Sequence, residues 1–242
     1  MSHSSNTSNS NSLNATDVSS RHIAFLKHSV ETLYSYAESQ SHALFVDFTR
    51  GCSGFNVVHL IGNARRTFDC CFGEWLFSGG MFEYEGKLQH AADVLLSLVR
   101  PDREENAYFA SLRNSSLHLY RVVDFYEEDL VITVRDALHD KPRELTAHYS
   151  PLSPALHKDE IVGLRLLQNF GELFTGYGIY RFTDAVQQGL PDRLRSIAAK
   201  VLQEYPDSDR DALDRTVITD SIIKVWLIMV DILERQMQQV LG

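Results

Sequence analysis

The sequence predicts an α+β protein, a small antiparallel β-barrel or curled sheet flanked by N-terminal and C-terminal helices. Three observations predict it. Apolar residues recur at helical spacing toward both ends of the chain, as in Ile23, Leu26, Val30, Leu33 and Ala37 and again in Leu194, Ile197, Ala198, Val201, Leu202 and Tyr205. Between them, five short runs rich in β-branched and aromatic residues follow one another at about ten-residue spacing. Turn-forming segments separate those runs, among them Glu127-Glu128-Asp129, Asp140-Lys141-Pro142 and Ser150-Pro151-Leu152-Ser153-Pro154.

Taken in order, residues 1–20 are rich in Ser and Asn and offer little apolar area to offset the entropy of ordering, so they are expected to be a disordered tail. A helix is expected over 21–40, with Ser19 or Ser20 as its cap. Ala43 to Phe48 and Phe55 to Ile61 are expected as two strands around the turn Arg50-Gly51-Cys52-Ser53-Gly54. Phe68, Phe72 and Trp75 share a helical face in a densely aromatic segment that Gly79-Gly80 ends. Helices are expected over 88–99, before Pro101, and over 104–114. These elements make up a helical portion, 21–116, with a two-strand component.

The β-rich portion, 117–183, contains runs at 119–126, 130–134, 145–149, 161–167 and 174–182. The C-terminal portion, 184–242, is helical again, with Pro191 favouring a first turn and Pro206 ending the amphipathic stretch. Ser208 with Asp211 resembles a capping box opening a final helix to about Val240. That helix is apolar around most of its circumference over Ile222 to Leu233, so its own domain or another chain must cover it.

Composition excludes several functional classes. The chain has 242 residues, net charge −9 and 44% hydrophobic content, enough for a substantial core but without a broad positive surface for nucleic acid or anionic lipid. Within 117–183, seven basic side chains stand against ten acidic ones. Tyr177, Tyr180 and Phe182 are therefore expected in a barrel core rather than as a base-stacking platform, although a nucleic-acid-binding barrel is kept as an alternative. In the most apolar stretch Lys224 and Asp231 leave only Val225 to Val230 uncharged, far short of the roughly 20 residues of a bilayer span. Three cysteines, Cys52, Cys70 and Cys71, make no disulfide framework, and with no secretory leader visible the expected location is the cytoplasm.

The chemistry-bearing motifs are weak. Cys70-Cys71 lacks the four ligands of a structural metal site and is expected as buried thiols. Cys52 in its Gly-flanked loop, with His59 as base, is the least implausible nucleophilic centre. Ser221-Ile222-Ile223-Lys224 has S-x-x-K spacing without its partner motifs. Asp69 with Glu85-Gly86-Lys87 has nuclease-like carboxylate spacing but lies in the wrong elements. His90 and Asp93 supply two ligands and no more. No glycine loop for phosphate occurs, and no cofactor and no metal are expected.

Phe72-Gly73-Glu74-Trp75-Leu76-Phe77, followed by Leu119-Tyr120-Arg121-Val122-Val123-Asp124 and by Leu130-Val131-Ile132-Thr133-Val134-Arg135-Asp136-Ala137-Leu138, resembles a bacterial module found upstream of SEC-C zinc motifs. The resemblance covers 72–138. It implies an α+β module with a β-rich middle and no reaction, and the cysteine-rich zinc segment of that family is absent here.

The expectation is a noncatalytic cytoplasmic interaction or accessory protein, with a protein partner or a homo-oligomer. Its contact residues are expected on one side of the final helix, at Val225, Trp226, Met229 and Leu233. An enzyme without a recognisable motif, built around Cys52 and His59, is the competing class.

Overall fold

The computed structural model describes residues 7–36, 38–49, 55, 57, 60, 62–139, 143–169, 171–206 and 209–241. The first helix, α1 (Thr7–Tyr36), corrects the expected tail, since the chain is helical from Thr7 onward. Local contacts offset the poor composition: Ser19 is buried, and Arg21 lies 3.9 Å from Asp17 and 3.4 Å from Asp102. The inward face of α1 carries His22, Phe25, Leu26, Ser29 and Leu33.

A second correction concerns residues 43–48, which lie in a helix, α2 (Glu38–Thr49), not a strand. In a strand Leu44, Val46 and Phe48 would share one face. Here Leu44 and Phe48, one helical turn apart, are buried while Val46 is 52% exposed. Of the expected second strand only Phe55, Val57 and Leu60 are described, none of them in a strand, and the glycine turn before it lies outside the described residues.

The aromatic helix α3 (Gly62–Ser78) forms as expected and is the pillar of the helical half. Phe48 of α2 meets Phe68, Phe72 and Trp75 of α3 at ring separations of 5.6, 5.2 and 5.4 Å. A hairpin of β1 (Met81–Tyr84) and β2 (Lys87–His90) follows, and β2 takes residues 88–90 from the helix expected over 88–99. Its two-residue turn puts Glu85 and Gly86 at φ of 50° and 74°, the doubly left-handed geometry that matches strand twist. Helix α4 (Ala91–Val99) follows, and α5 (Arg103–Arg113) opens with a reciprocal capping box between Asp102 and Glu105.

The expected barrel is present. Strands β3 (Leu117–Tyr126), β4 (Val131–Asp136), β5 (Glu144–His148), β6 (Ile161–Asn169) and β7 (Glu172–Thr175) pair in the order β3-β4-β5-β7-β6, and β6 returns to β3 to close the ring. The expectation of an antiparallel barrel needs one correction, because β5 and β7 pair in parallel at His148 and Phe174. The last expected strand is interrupted by Gly176-Tyr177-Gly178, so a separate short strand, β8 (Tyr180–Arg181), pairs along β6.

A short helix α6 (Asp184–Gln187) leads to α7 (Leu190–Glu204) and to the long α8 (Arg210–Leu241). The capping residue expected for α8, Ser208, lies outside the described residues, and Asp209 accepts from the Ala212 amide at 3.4 Å.

Two apolar cores result. Val122, Ile132, Val134, Val162, Leu164 and Ile179 fill the barrel. The larger core joins the helices to the barrel's outer wall, where Leu117 and Leu119 of β3 face α8. The helical and β-rich portions are therefore joined through the larger core. Among the described residues no helix is long and apolar enough to cross a membrane.

Candidate functional site

A cleft of about 750 Å3 lies between the outer face of β3–β4 and the helices α6 and α7. Its barrel wall carries Arg121 and Arg135, which face each other as cross-strand partners. Arg195 reaches in from α7 and donates to the Leu138 carbonyl at 3.3 Å while pairing with Asp192. Arg121 donates to the Asp159 carbonyl at 3.2 Å. The Arg135 side chain is exposed and makes no hydrogen bond or ion pair among the described residues, with Glu144 as its cross-strand neighbour on β5. The acidic side chains of Asp159 and Asp184 complete the rim.

At one end of the cleft, β4 ends on Asp136, which binds two imidazoles. His118 Nε2 lies 3.0 Å from Oδ1 and His139 Nδ1 lies 3.0 Å from Oδ2. The backbone amides of Leu138 and His139 also donate to Oδ1, at 2.8 and 3.0 Å, and so fix the carboxylate. Burial opposes the charged form of Asp136, but the His118 contact and the two amides outweigh it and hold the carboxyl well below the usual range. The two rings lie nearly parallel, with centroids 5.7 Å apart. One donor atom from each of the three residues falls within 4.8 Å of the other two, a set of two imidazoles and a carboxylate. Asp136 and His139 line the cleft.

A second polar cluster is closed to solvent. Glu74 of α3 is 1% exposed, accepts from the Tyr108 hydroxyl at 3.1 Å and from the Tyr177 amide, and lies near the buried Arg165. His22 stacks on Tyr108 at 4.3 Å and meets the Tyr177 hydroxyl at 2.9 Å. A Cβ added at Gly176 would fall 2.6 Å from Glu74 Oε1, so backbone closes over the carboxylate. These buried groups join α1, α3, α5 and the β7–β8 turn.

Cys52 and His59 lie outside the described residues. Cys70 and Cys71 are buried, and burial pushes the Cys70 thiol up to about 12, which removes its nucleophilic form. Asp69 pairs with Arg65, and Asp93 pairs with Arg113 rather than joining His90. Tyr177, Tyr180 and Phe182 are buried, which leaves them unable to stack bases. In α8, Trp226 packs on Tyr180 at a ring separation of 5.1 Å and is only 4% exposed. Val225 and Met229 are partly buried against the same core, and Leu233 is 38% exposed.

The grouping of His118, Asp136 and His139 was not foreseen from sequence. Only the Asp136-x-x-His139 spacing was visible there. His118 and the facing of Arg121 by Arg135 depend on the register of β3 against β4. Comparison with known proteins gives no matching family model, no matching curated protein and no matching solved structure.

Proposed function

We propose that the chain is an accessory protein acting through protein–protein contact, and that its partner is a second copy of itself bound along the C-terminal half of α8. The observation that carries this is a stripe that outruns its own core. Trp226, Val230, Leu233 and Met237 recur at steps of four, three and four, the spacing of one helical face. Trp226 is buried and Val230 half-buried, but Leu233 and Met237 are 38% and 50% exposed. Ile228 and Ile232, 44% and 49% exposed, lie on the opposite side of the helix and are not part of the stripe. The stripe that seats α8 on the barrel thus continues past the body with nothing over it among the described residues.

An apolar helix face related to itself by a two-fold axis is self-complementary, and no charged feature of the stripe selects a different partner. The contact surface is displaced by one to three turns from the residues expected in the sequence. Leu233 stays in it and Trp226 serves the intramolecular core.

Native mass spectrometry and light scattering on the full chain test this reading against Leu233→Lys and Met237→Lys. Both positions are exposed in the single chain, so the variants should melt near the wild type at dilutions where it is monomeric. A dimer in the wild type that either variant abolishes supports the reading. A monomer at every concentration, or a dimer that survives both substitutions, overturns it.

A further inference from the structure

We propose that His118, Asp136 and His139 bind a divalent transition-metal ion whose open coordination positions face the arginine-lined cleft and take a small oxyanion. This site is independent of the α8 surface. The donor set points to the class of ion. Two imidazoles and one carboxylate, without a thiolate, suit zinc, cobalt, nickel or iron(II) rather than soft copper(I) or the all-oxygen preference of calcium. Three protein ligands leave at least one position for an exogenous group, as in metal sites that bind or activate a ligand.

The geometry is close to what an ion needs. Metal–nitrogen and metal–oxygen bonds of about 2.0 to 2.2 Å place tetrahedral donors roughly 3.3 Å apart. The present atoms lie within 4.8 Å of one another. Most of the contraction falls to His139, whose side chain is 40% exposed and lies beyond the end of β4. Asp136 need not move: the Leu138 and His139 amides already orient it, the kind of support that metal-binding carboxylates receive from their surroundings. Without an ion the two imidazoles share that carboxylate by hydrogen bonding.

The cleft supplies the second ligand's chemistry. Asp136 and His139 line it together with Arg121, Arg135 and Arg195. Two guanidiniums directly opposite on neighbouring strands repel one another unless an anion lies between them. Glu144 on β5 is the other cross-strand neighbour of Arg135 and Ile161 on β6 that of Arg121, so one carboxylate faces two guanidiniums and the group keeps a net positive charge. Guanidinium forks match oxyanions bidentately, and an ion at Asp136 would add a positive centre at the cleft's end. Asp159 and Asp184 at the rim restrict the space for a large polyanion and favour a small one.

The test uses the full chain stripped with chelator and titrated with Co2+, followed by calorimetry and by the visible d–d absorption of the bound ion. The expected result is one Co2+ per chain with low-symmetry absorption, weakened at least tenfold by His118→Gln, by His139→Gln and by Asp136→Asn. Asp136→Asn keeps an acceptor for the two amides, and a melting curve for each variant shows that the fold persists. His90→Gln is expected to leave Co2+ binding unchanged. Inorganic phosphate is then expected to bind at least tenfold more tightly to the Co2+-loaded chain, and Arg135→Gln to weaken phosphate without changing Co2+ affinity. No Co2+ binding at millimolar ion, or binding that all three ligand variants retain, overturns the metal site. Phosphate binding that is absent or indifferent to Co2+ overturns the oxyanion half of the proposal.

Discussion

Glu74 in α3 accepts a hydrogen bond from the backbone amide of Tyr177, a residue 103 positions away in the turn between β7 and β8. A carboxylate thus clamps the aromatic helix to the barrel from inside the protein. Burial pushes the Glu74 carboxyl up, against the opposing pull of Arg165, the Tyr177 and Gly178 amides and the Tyr108 hydroxyl. A raised acid favours the folded state while it is protonated. Below the ordinary value of 4.5 folded and unfolded chains both hold the proton, and the group costs nothing. As pH rises past that value the unfolded chain ionises first, so stability falls until the folded carboxyl ionises as well. Urea unfolding at pH 5 and pH 8 is expected to show a larger loss for the wild type than for Glu74→Gln. Parallel losses in the two proteins would remove the account.

Tyr108→Phe withdraws one donor from that carboxylate and leaves the volume almost unchanged. A buried acceptor deprived of a partner costs about 1 to 3 kcal/mol, so this variant is expected to unfold at clearly lower urea with an unchanged slope. An unaltered midpoint would mean that the hydroxyl contributes nothing at this site.

Gly163 sets how closely α8 approaches the barrel. It lies on β6 opposite Leu119 and Tyr180, and an added Cβ would fall 2.8 Å from Ile222 Cγ2 and 3.1 Å from Tyr180 Cβ. Gly163→Ala must push the helix outward or shift β6, an overpacking cost of about 1 to 3 kcal/mol. Gly171→Ala meets no neighbouring atom but has φ of 88°, so its cost is conformational alone. Thermal unfolding of the two variants separates the mechanisms: Ile222→Ala, which removes the obstructing Cγ2, should cost less in Gly163→Ala than in the wild type and as much in Gly171→Ala as in the wild type.

The strands of the barrel were legible because each alternates or runs apolar for a few residues between turn segments, as in Val131 to Asp136. Their closure was not, since the return of β6 to β3 pairs Leu117 with Arg165 across 48 positions of sequence. Helix α2 was misread because Leu, Phe and Val enrichment favours strand locally, and only the burial of Leu44 and Phe48 with Val46 exposed shows the period. The hairpin at Glu85-Gly86 was hidden by the apolar residues of the helix after it. The His118, Asp136 and His139 group needed strand register, which no single-sequence period contains. The stripe on α8 was visible, but where the core stops along it was not.

That boundary on α8 has a measurable consequence. Trp226→Ala empties a site packed against Tyr180 and is expected to cost about 3 to 5 kcal/mol. Leu233→Ser, two turns further on and 38% exposed, is expected to change monomer stability by no more than about 0.5 kcal/mol. Denaturation at dilutions where the chain is monomeric makes the comparison. Equal costs would place Leu233 in the same core as Trp226 and remove the free end of the stripe.

Arg121 and Arg135 give the cleft a testable electrostatic signature. Like charges directly opposite in an antiparallel pair are destabilising, so with Glu144, which faces Arg135 from β5, replaced by Gln in both chains, Arg135→Gln is expected to stabilise the unliganded protein by about 0.2 to 1 kcal/mol. The gain should shrink as salt rises toward molar concentration, because added ions screen exposed charges over a Debye length of about 3 Å at 1 M. Phosphate gives the opposite sign: at saturating anion the wild type should gain more stability than Arg135→Gln, since only the wild type presents both guanidiniums. Melting curves of the two chains at low salt, at high salt and with phosphate at matched ionic strength make the test. A variant destabilised at low salt, or equally stabilised by phosphate, would show that the two arginines neither strain the strand pair nor hold an anion.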